Sequence, residues 1–385
     1  MKNNGALLIN EKCIVKTYPK KWWELYFQHE KVTDLRRKTG WSKYKISDYL
    51  NVSEERVKHW IYDGTEPMPV KVIRSLKSKG LLPFSEENRH FQLIMDCFSF
   101  VYGDGTLTEN RVMFSGRVED LEEIKRRLSE VGFCGKIRTI KTENYIILGG
   151  RILNGTTNDL IINSAPLAKL LACMGAPVGD KTIKPIHIPP WLKKSDLTIK
   201  KRFLGVLYGC EGKTPKFAKG GMILGIKFSK NIEYKREHEK FMKDIKSMFS
   251  EFGIRTSNLV WDKKVNNRKD GVKTQACHFT IGDFLSILKF LNGIEILCCR
   301  SRTTKTNDFA ILFSEKFNEF NERHEKYEQS IGLSKNLNTR QISRRLGISY
   351  KTVEYWIKGG KPVLYDKRKE INKEIAELRS KFPAA

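Results

Sequence analysis

A chain of 385 residues with 40% apolar side chains can bury more than one core, and the usual domain size suggests about two to four domains. The 71 Lys and Arg against 44 Asp and Glu leave a formal charge of +27, which implies a polyanionic partner, nucleic acid first. A membrane is disfavoured, because no apolar run reaches the ~20 residues of a spanning helix and Met1 to Asn10 lacks the charged and apolar halves of a signal peptide.

A cytoplasmic, nucleoid-associated protein is therefore expected. The eight cysteines form no CxxC pair, which argues against structural zinc, and Cys97 and Cys210 sit in apolar runs as small buried hydrophobes.

In chain order, the first recognisable element lies at Ile46 to Gly64 and returns at Ile342 to Gly360. The matches are Ile46/Ile342, Ser47/Ser343, Leu50/Leu346, Ser53/Ser349, Val57/Val353, Trp60/Trp356, Ile61/Ile357 and Gly64/Gly360. Ile46 and Leu50 share one helix face, Asn51 or Gly347 supplies a turn, and Ser53 or Ser349 caps a second helix. That pattern is a helix-turn-helix. With Val57, Trp60 and Ile61 inward, the second helix turns Arg56, Lys58 and His59 outward, and in the later copy Tyr350, Lys351, Thr352 and Tyr355. Such residues reach base edges and phosphates when a helix enters a major groove.

Asn88 to Gly105 predicts a helix that becomes apolar on every side and stops at Gly103-Asp104-Gly105. Asp196 to Gly212 repeats the pattern, ending in Cys210-Glu211-Gly212. Two helices apolar all round predict mutual burial, and Ser99 with Gly103, and Gly205 with Gly209, predict close backbone approach between them. Each is followed by strands, a charged helix (Val118 to Val131; from Glu233), β-branched stretches (Lys136 to Leu148 and Asp159 to Asn163; Thr256 to Trp261 and Thr274 to Ile281) and a last helix near Pro166 to Met174 or Asp283 to Leu291.

Asp104 and Glu211 each stand at the negative end of a buried helix, where a carboxylate is disfavoured by ~0.3 to 1 kcal/mol. A hard divalent cation compensates by taking oxygen ligands from both, so the pair predicts a shared metal site. Gly212-Lys213-Thr214 is not a phosphate-binding loop, since Leu207 occupies the place of its opening glycine. The seven histidines form no metal cluster, and only His59 is placed at nucleic acid.

The stretches Cys97 to Gly105 and Leu204 to Gly212 resemble the two motifs of a single-chain LAGLIDADG homing endonuclease. Gly175 to Lys181 and Ile188 to Trp191 resemble its archaeal and intein-type members. Phe98 and Val206 depart from the pattern, standing where small residues are usual. The resemblance implies an α+β fold of two pseudo-twofold αββαββα halves forming a β-saddle, flanked by all-α helix-turn-helix domains at both ends. The expected divisions are 1–86, 87–193, 194–326 and 327–385.

It further implies that Asp104 and Glu211 bind the metals, Mg²⁺ with Mn²⁺ as a substitute. Lys181 would be the assisting basic residue of the first half, and Lys305, with Arg300 and Arg302 as alternatives, that of the second. The expected function is a monomeric, Mg²⁺-dependent, site-specific endonuclease of double-stranded DNA that serves intron homing. The alternatives are a non-cleaving DNA-binding regulator and a maturase with intron RNA as partner.

Overall fold

The computed structural model describes residues 8–142, 155–218 and 221–381. At the N-terminus a two-residue strand β1 (Leu8–Ile9) is followed by helices α1 (Glu11–Val15), α2 (Lys20–Thr39), α3 (Lys43–Leu50), α4 (Glu54–Ile61) and α5 (Met68–Ser78), and β2 (Phe84–Ser85) returns to pair antiparallel with β1. The next unit runs α6 (Phe91–Tyr102), β3 (Gly105–Leu107), β4 (Val112–Gly116), α7 (Val118–Glu130), β5 (Lys136–Thr142), β6 (Gly155–Ile162) and α8 (Ala165–Met174). After the short α9 (Pro190–Lys194) the same succession returns as α10 (Leu197–Glu211), β7 (Lys216–Ala218), β8 (Gly221–Asn231), α11 (Lys235–Glu251), β9 (Val260–Asn267), β10 (Lys273–Ile281) and α12 (Phe284–Gly293). The chain closes with α13 (Arg300–Leu333), α14 (Thr339–Leu346), α15 (Tyr350–Ile357) and α16 (Arg368–Lys381).

The two four-stranded sheets have equivalent antiparallel orders, β3-β4-β6-β5 and β7-β8-β10-β9. Strand alternation decides what each face does. Val112 and Phe114 of β4, Leu160 and Ile162 of β6, and Cys277, Phe279 and Ile281 of β10 are buried against the helices. The other face is polar, with Ser115 bonded to Asp159 at 2.6 Å in the first sheet and Lys227 bonded to Asp262 at 2.5 Å in the second. Helix α7 buries Leu121, Ile124 and Leu128 at helical spacing, and α11 buries Phe241, Met242, Ile245, Met248 and Phe249. The strand expected from Thr256 begins at Val260, and residues 143–148 of the stretch expected over Lys136 to Leu148 lie outside the described residues.

Helices α6 and α10 pack directly on one another. Phe98 meets Phe203 with ring centroids 6.3 Å apart, and Tyr102 meets it edge-on at 5.5 Å. Asp96 interrupts the apolar run yet is buried, and Arg202 of α10 donates to both its oxygens at 2.6 and 2.7 Å, while Arg127 of α7 pairs with it at 2.9 Å. A buried carboxylate held this way ties three elements together.

The apolar core does not break at the expected boundaries. One continuous core runs from Ile9 through both sheet units to Leu378, taking in α1, α5 and α16. Val32, Ile46, Val52 and Val57, backed by Leu35, Trp41, Leu50, Trp60 and Ile61, form a separate small core. Helix α2 joins the two, with Tyr26 in the large core and Val32 in the small one. Helix α13 passes unbroken through position 327.

The helix-turn-helix repeats are built alike. Asn51 and Gly347 take the left-handed conformation, with φ of 51° and 63°, and Ser47 and Ser343 donate to the carbonyls of Val52 and Ile348 at 2.7 and 2.6 Å. Three details differ from the sequence reading. Ser349 caps its helix through the Thr352 N–H whereas Ser53 makes no such bond, Trp60 is half-buried where Trp356 is buried, and Ile357 is exposed.

Replacing Asp96 with Ala should destabilise the chain by about 3 kcal/mol, because two partly buried guanidinium groups lose their counter-charge. The midpoint of urea unfolding checks this; a shift below about 1 kcal/mol would show that the cluster is solvated and contributes little.

Candidate functional site: two carboxylates at a helix crossing

Helices α6 and α10 approach closely at their C-terminal ends. A Cβ built on Gly103 would lie 2.2 Å from the Cβ of Cys210, so only glycine allows the backbones this near. The next residue in each strand of the chain is an acid, Asp104 after Gly103 and Glu211 after Cys210. Gly205 and Gly209, expected to serve the same contact, serve another: they face the carbonyls of Glu295 and Leu297, in the segment between α12 and α13.

Two cations close the site symmetrically. The Lys181 ammonium donates to the carbonyls of Val101 and Gly105, both at 3.1 Å, at the end of α6. The Arg302 guanidinium donates to the carbonyls of Gly209 and Cys210 at the end of α10. Each thus satisfies carbonyls that a helix end leaves unpaired. Arg302, not Lys305, occupies the position equivalent to Lys181; Lys305 is exposed and lines the recess beside Asp104. The two lie three residues apart on one face of α13 and line the same recess, but Arg302, nearer the start of the helix, is the one that reaches the carbonyls of α10.

The electrostatics join the four groups. Burial, then the nearby Asp104 charge, pushes the Glu211 carboxyl up to about 7, while Lys181 and Arg302 pull against it. Burial raises Asp104 as well, with the same two cations opposing. The Asp104 residue is open to solvent, yet it stands at the edge of a recess whose walls crowd the carboxyl, which reconciles exposure with a raised pKa. Burial lowers Lys181, and Glu211 is the main influence that holds it charged.

Recesses of about 280 and 450 Å³ flank the crossing. The first is lined by Asp104, Arg117, Arg302 and Lys305. The second is lined by Glu211, Lys181, Lys213, Lys227 and Lys230. Sequence reasoning missed Lys230, whose ammonium donates to the carbonyls of Lys181 and Lys184 and fixes the loop that carries Lys181. Asp180, bonded to Arg268 at 2.9 Å, anchors the same loop from the β9–β10 connection. Nothing in the local pattern around Lys230 marks it, because its partners are backbone carbonyls of a different unit.

Among the described residues no group of three or more His, Cys, Asp or Glu side chains is placed to hold a metal. Asp104 and Glu211 still fit a magnesium ion, which is commonly held by one or two carboxylates and keeps its other positions for water and phosphate oxygens. Burial raises both carboxyls, and a bound cation would favour their charged forms.

The other expected residues sit on the helix-turn-helix units. On α4, Arg56 bonds Gln28 at 3.3 Å and lies over the Trp60 ring, His59 bonds Asp63 at 2.6 Å, and Lys58 is exposed. On α15, Tyr350, Lys351 and Tyr355 are exposed, whereas the Thr352 hydroxyl is engaged with Ser349 at 2.7 Å and serves the cap.

No family model matches the chain. It is 36% identical over 235 residues to an RNA polymerase subunit, Rpo1N, of Methanocaldococcus jannaschii, covering 58% of this chain and 17% of that protein. It is 31% identical over 220 residues to the tRNA-splicing ligase RtcB of Pyrococcus furiosus, covering 54% and 21%. It is 28% identical over 231 residues to the replication factor C small subunit of Methanocaldococcus jannaschii, covering 57% and 12%. The chain therefore spans about a fifth or less of the length of these relatives. Each match takes more than half of this chain, so the matched stretches overlap.

These names overturn the expectation of a LAGLIDADG homing endonuclease, and with it the expected Mg²⁺-dependent cleavage of double-stranded DNA and intron homing. The relatives are named as a polymerase subunit, tRNA-splicing ligases and a replication factor, and no family model supplies the assignment. The motif wording was a weak guide, with bulky Phe98 and Val206 in positions where that family has small residues.

Two outcomes are expected. Gly103→Ala should cost about 1 to 3 kcal/mol in thermal unfolding, with part regained when Cys210→Gly is added, since the clash is with that side chain. Glu211 has a raised folded pKa, so its charged form opposes folding: the metal-free chain should lose stability as pH rises from about 4.5 through about 7. Glu211→Gln should flatten this loss, and a wild-type pH profile identical to the variant's in calorimetry would refute the buried-charge account.

Proposed function

We propose that the chain binds nucleic acid and carries out metal-assisted phosphoryl transfer at a backbone phosphate, with RNA as the first substrate class. The observation that carries this reading is the convergence of Asp104 and Glu211, from separate helices, between Lys181 and Arg302. Two carboxylates that resist ionisation side by side are suited to Mg²⁺, and the flanking cations are suited to the negative charge of a phosphate. Bound Mg²⁺ would polarise the phosphate oxygens and offset the charge that develops there.

The remaining contributions come from the chain. Lys181 and Arg302, immobilised on helix-end carbonyls, would orient the phosphate without paying reorganisation energy in the reaction. Glu211, whose carboxyl burial pushes up to about 7 without a metal, would ionise on holding Mg²⁺. The polar faces of the two sheets and the charge of +27 would position the backbone on either side. We take the two sheets as one continuous saddle-shaped binding surface. Relatives named tRNA-splicing ligase support RNA ahead of DNA, though the chain spans only a fifth of their length.

A second reading is favoured by one observation: overlapping stretches match proteins with three different names, each concerned with nucleic acid. On that reading the shared part is a binding module for duplex DNA or structured RNA that catalyses nothing.

End-labelled RNA and DNA, as single strands, duplexes and nicked duplexes, should be incubated with wild type, Asp104→Asn and Glu211→Gln, with Mg²⁺, Mn²⁺ or chelator. Products that are joined, shortened or exchanged are resolved on denaturing gels. The reaction should need a divalent ion and both acids, falling at least ~10³-fold in either variant with binding within about threefold of wild type. Full product formation by Asp104→Asn would overturn the site, and binding without products on any substrate would leave the module reading. Affinity should fall steeply with salt in every case.

A further inference from the structure

The two helix-turn-helix copies have kept a common scaffold and exchanged the chemistry of their surfaces. Between residues 42 and 62 four Lys and Arg stand against three carboxylates, while the equivalent 338–358 has five against one. Helix α4 opens with Glu54 and Glu55, both exposed, at the end that would otherwise attract a phosphate, and its His59 is turned to Asp63 at 2.6 Å and Glu55 at 3.7 Å. The α4 face is therefore poorly suited to a polyanion.

The neighbouring α3 face is different. Lys45 and Tyr49 lie one turn apart on α3, and Trp41, two residues before the helix, packs against both, so the three form one stripe. The Lys45 ammonium lies 4.1 Å from the Trp41 ring centroid, and Tyr49 meets Trp41 edge-on at 5.5 Å. Beside the stripe, Tyr44 carries the Lys43 ammonium at 4.6 Å over its ring. Tyr44 and Tyr49 are 56% and 67% exposed, unusual for large rings that no core requires. At the equivalent places of the C-terminal copy, Tyr44 and Tyr49 become Arg340 and Arg345. One copy thus presents phosphate-binding guanidinium groups where the other presents rings interleaved with ammonium groups.

We infer that the N-terminal module binds unpaired nucleotides through Tyr44 and Tyr49 on its first helix and Trp41 just before it, rather than duplex through its second. Rings flanked by cations are the arrangement that stacks on bases while the charges hold the backbone. A base within a duplex has both faces covered by its neighbours, so exposed rings select single strands, bulges or frayed ends. The C-terminal module, with Arg340, Arg344, Arg345 and Lys351, supplies the charge-driven hold. This inference rests on the reading that the chain binds nucleic acid, and it is independent of the metal site.

The test uses the full chain in chelator, with a fluorescein-labelled oligouridylate or oligothymidylate of roughly a dozen nucleotides and, separately, a duplex, read by anisotropy across salt. Tyr44→Ala with Tyr49→Ala should weaken single-strand binding at least about tenfold and leave the salt slope unchanged; Tyr44→Phe with Tyr49→Phe should stay within about twofold. Arg340→Ala with Arg345→Ala should lower the salt slope instead. Both tyrosines are exposed, and circular dichroism confirms that the variants fold.

Unchanged single-strand binding by the double alanine variant overturns the inference and leaves the rings as a surface for a protein partner. A double phenylalanine variant as weak as the alanine one overturns it too, since hydroxyls rather than ring faces would then be the contact. A wild type that binds duplex but no single strand overturns this inference alone, whereas a wild type that binds neither removes the proposed function as well.

Discussion

The crossing of α6 and α10 is the constraint on which the rest depends. Both helices become apolar on every side toward their C-terminal ends, so those ends cannot stand at a surface, and each becomes the other's interior. At one end Asp96 and Arg202 fix the register of the pair, and at the other Gly103 and Cys210 bring the backbones into contact. The distance between Asp104 and Glu211 is a by-product of this packing. The nearby Asp104 charge works against ionisation of Glu211.

That tension is what makes the crossing a candidate site. Helix dipoles, partial burial and mutual repulsion all act against two ionised carboxylates, and the chain answers with Lys181 and Arg302. These cations spend their hydrogen bonds on helix-end carbonyls instead of on the acids. Among the described residues neither cation is bonded to either acid, so the field around the carboxyls remains moderate. A direct ion pair would have quenched the site.

The surrounding units show how far shared architecture can separate from shared surface. The two sheets repeat one strand order, and the two helix-turn-helix copies repeat a left-handed turn and a serine-to-carbonyl bond. Yet one copy is anchored on the small core beside α2, with His29 edge-on to Trp60 at 5.4 Å, and the other on α13, with Tyr327 edge-on to Trp356 at 5.6 Å. Buried positions hold the fold in place and tolerate little change, while exposed positions are free to diverge toward different partners.

Local pattern carried a good deal of this. The all-apolar helices, the periodic charged helices, the alternating strands and the repeated turn at Asn51 and Gly347 follow from 3.6- and 2-residue periodicities and from backbone preferences within a few residues. The acids at 104 and 211 were conspicuous as charges ending apolar runs. What pattern did not carry were contacts between residues far apart in the chain. Tertiary packing decided that Gly205 and Gly209 face the segment before α13 and not α6, that Arg302 and not Lys305 reaches the end of α10, and that Lys230 holds the Lys181 loop. It also decided that α5 and α16 join the central core. The physical reason is one of range: periodicity reports which face of an element is apolar, but the partner that covers that face is chosen by the packing of the whole chain.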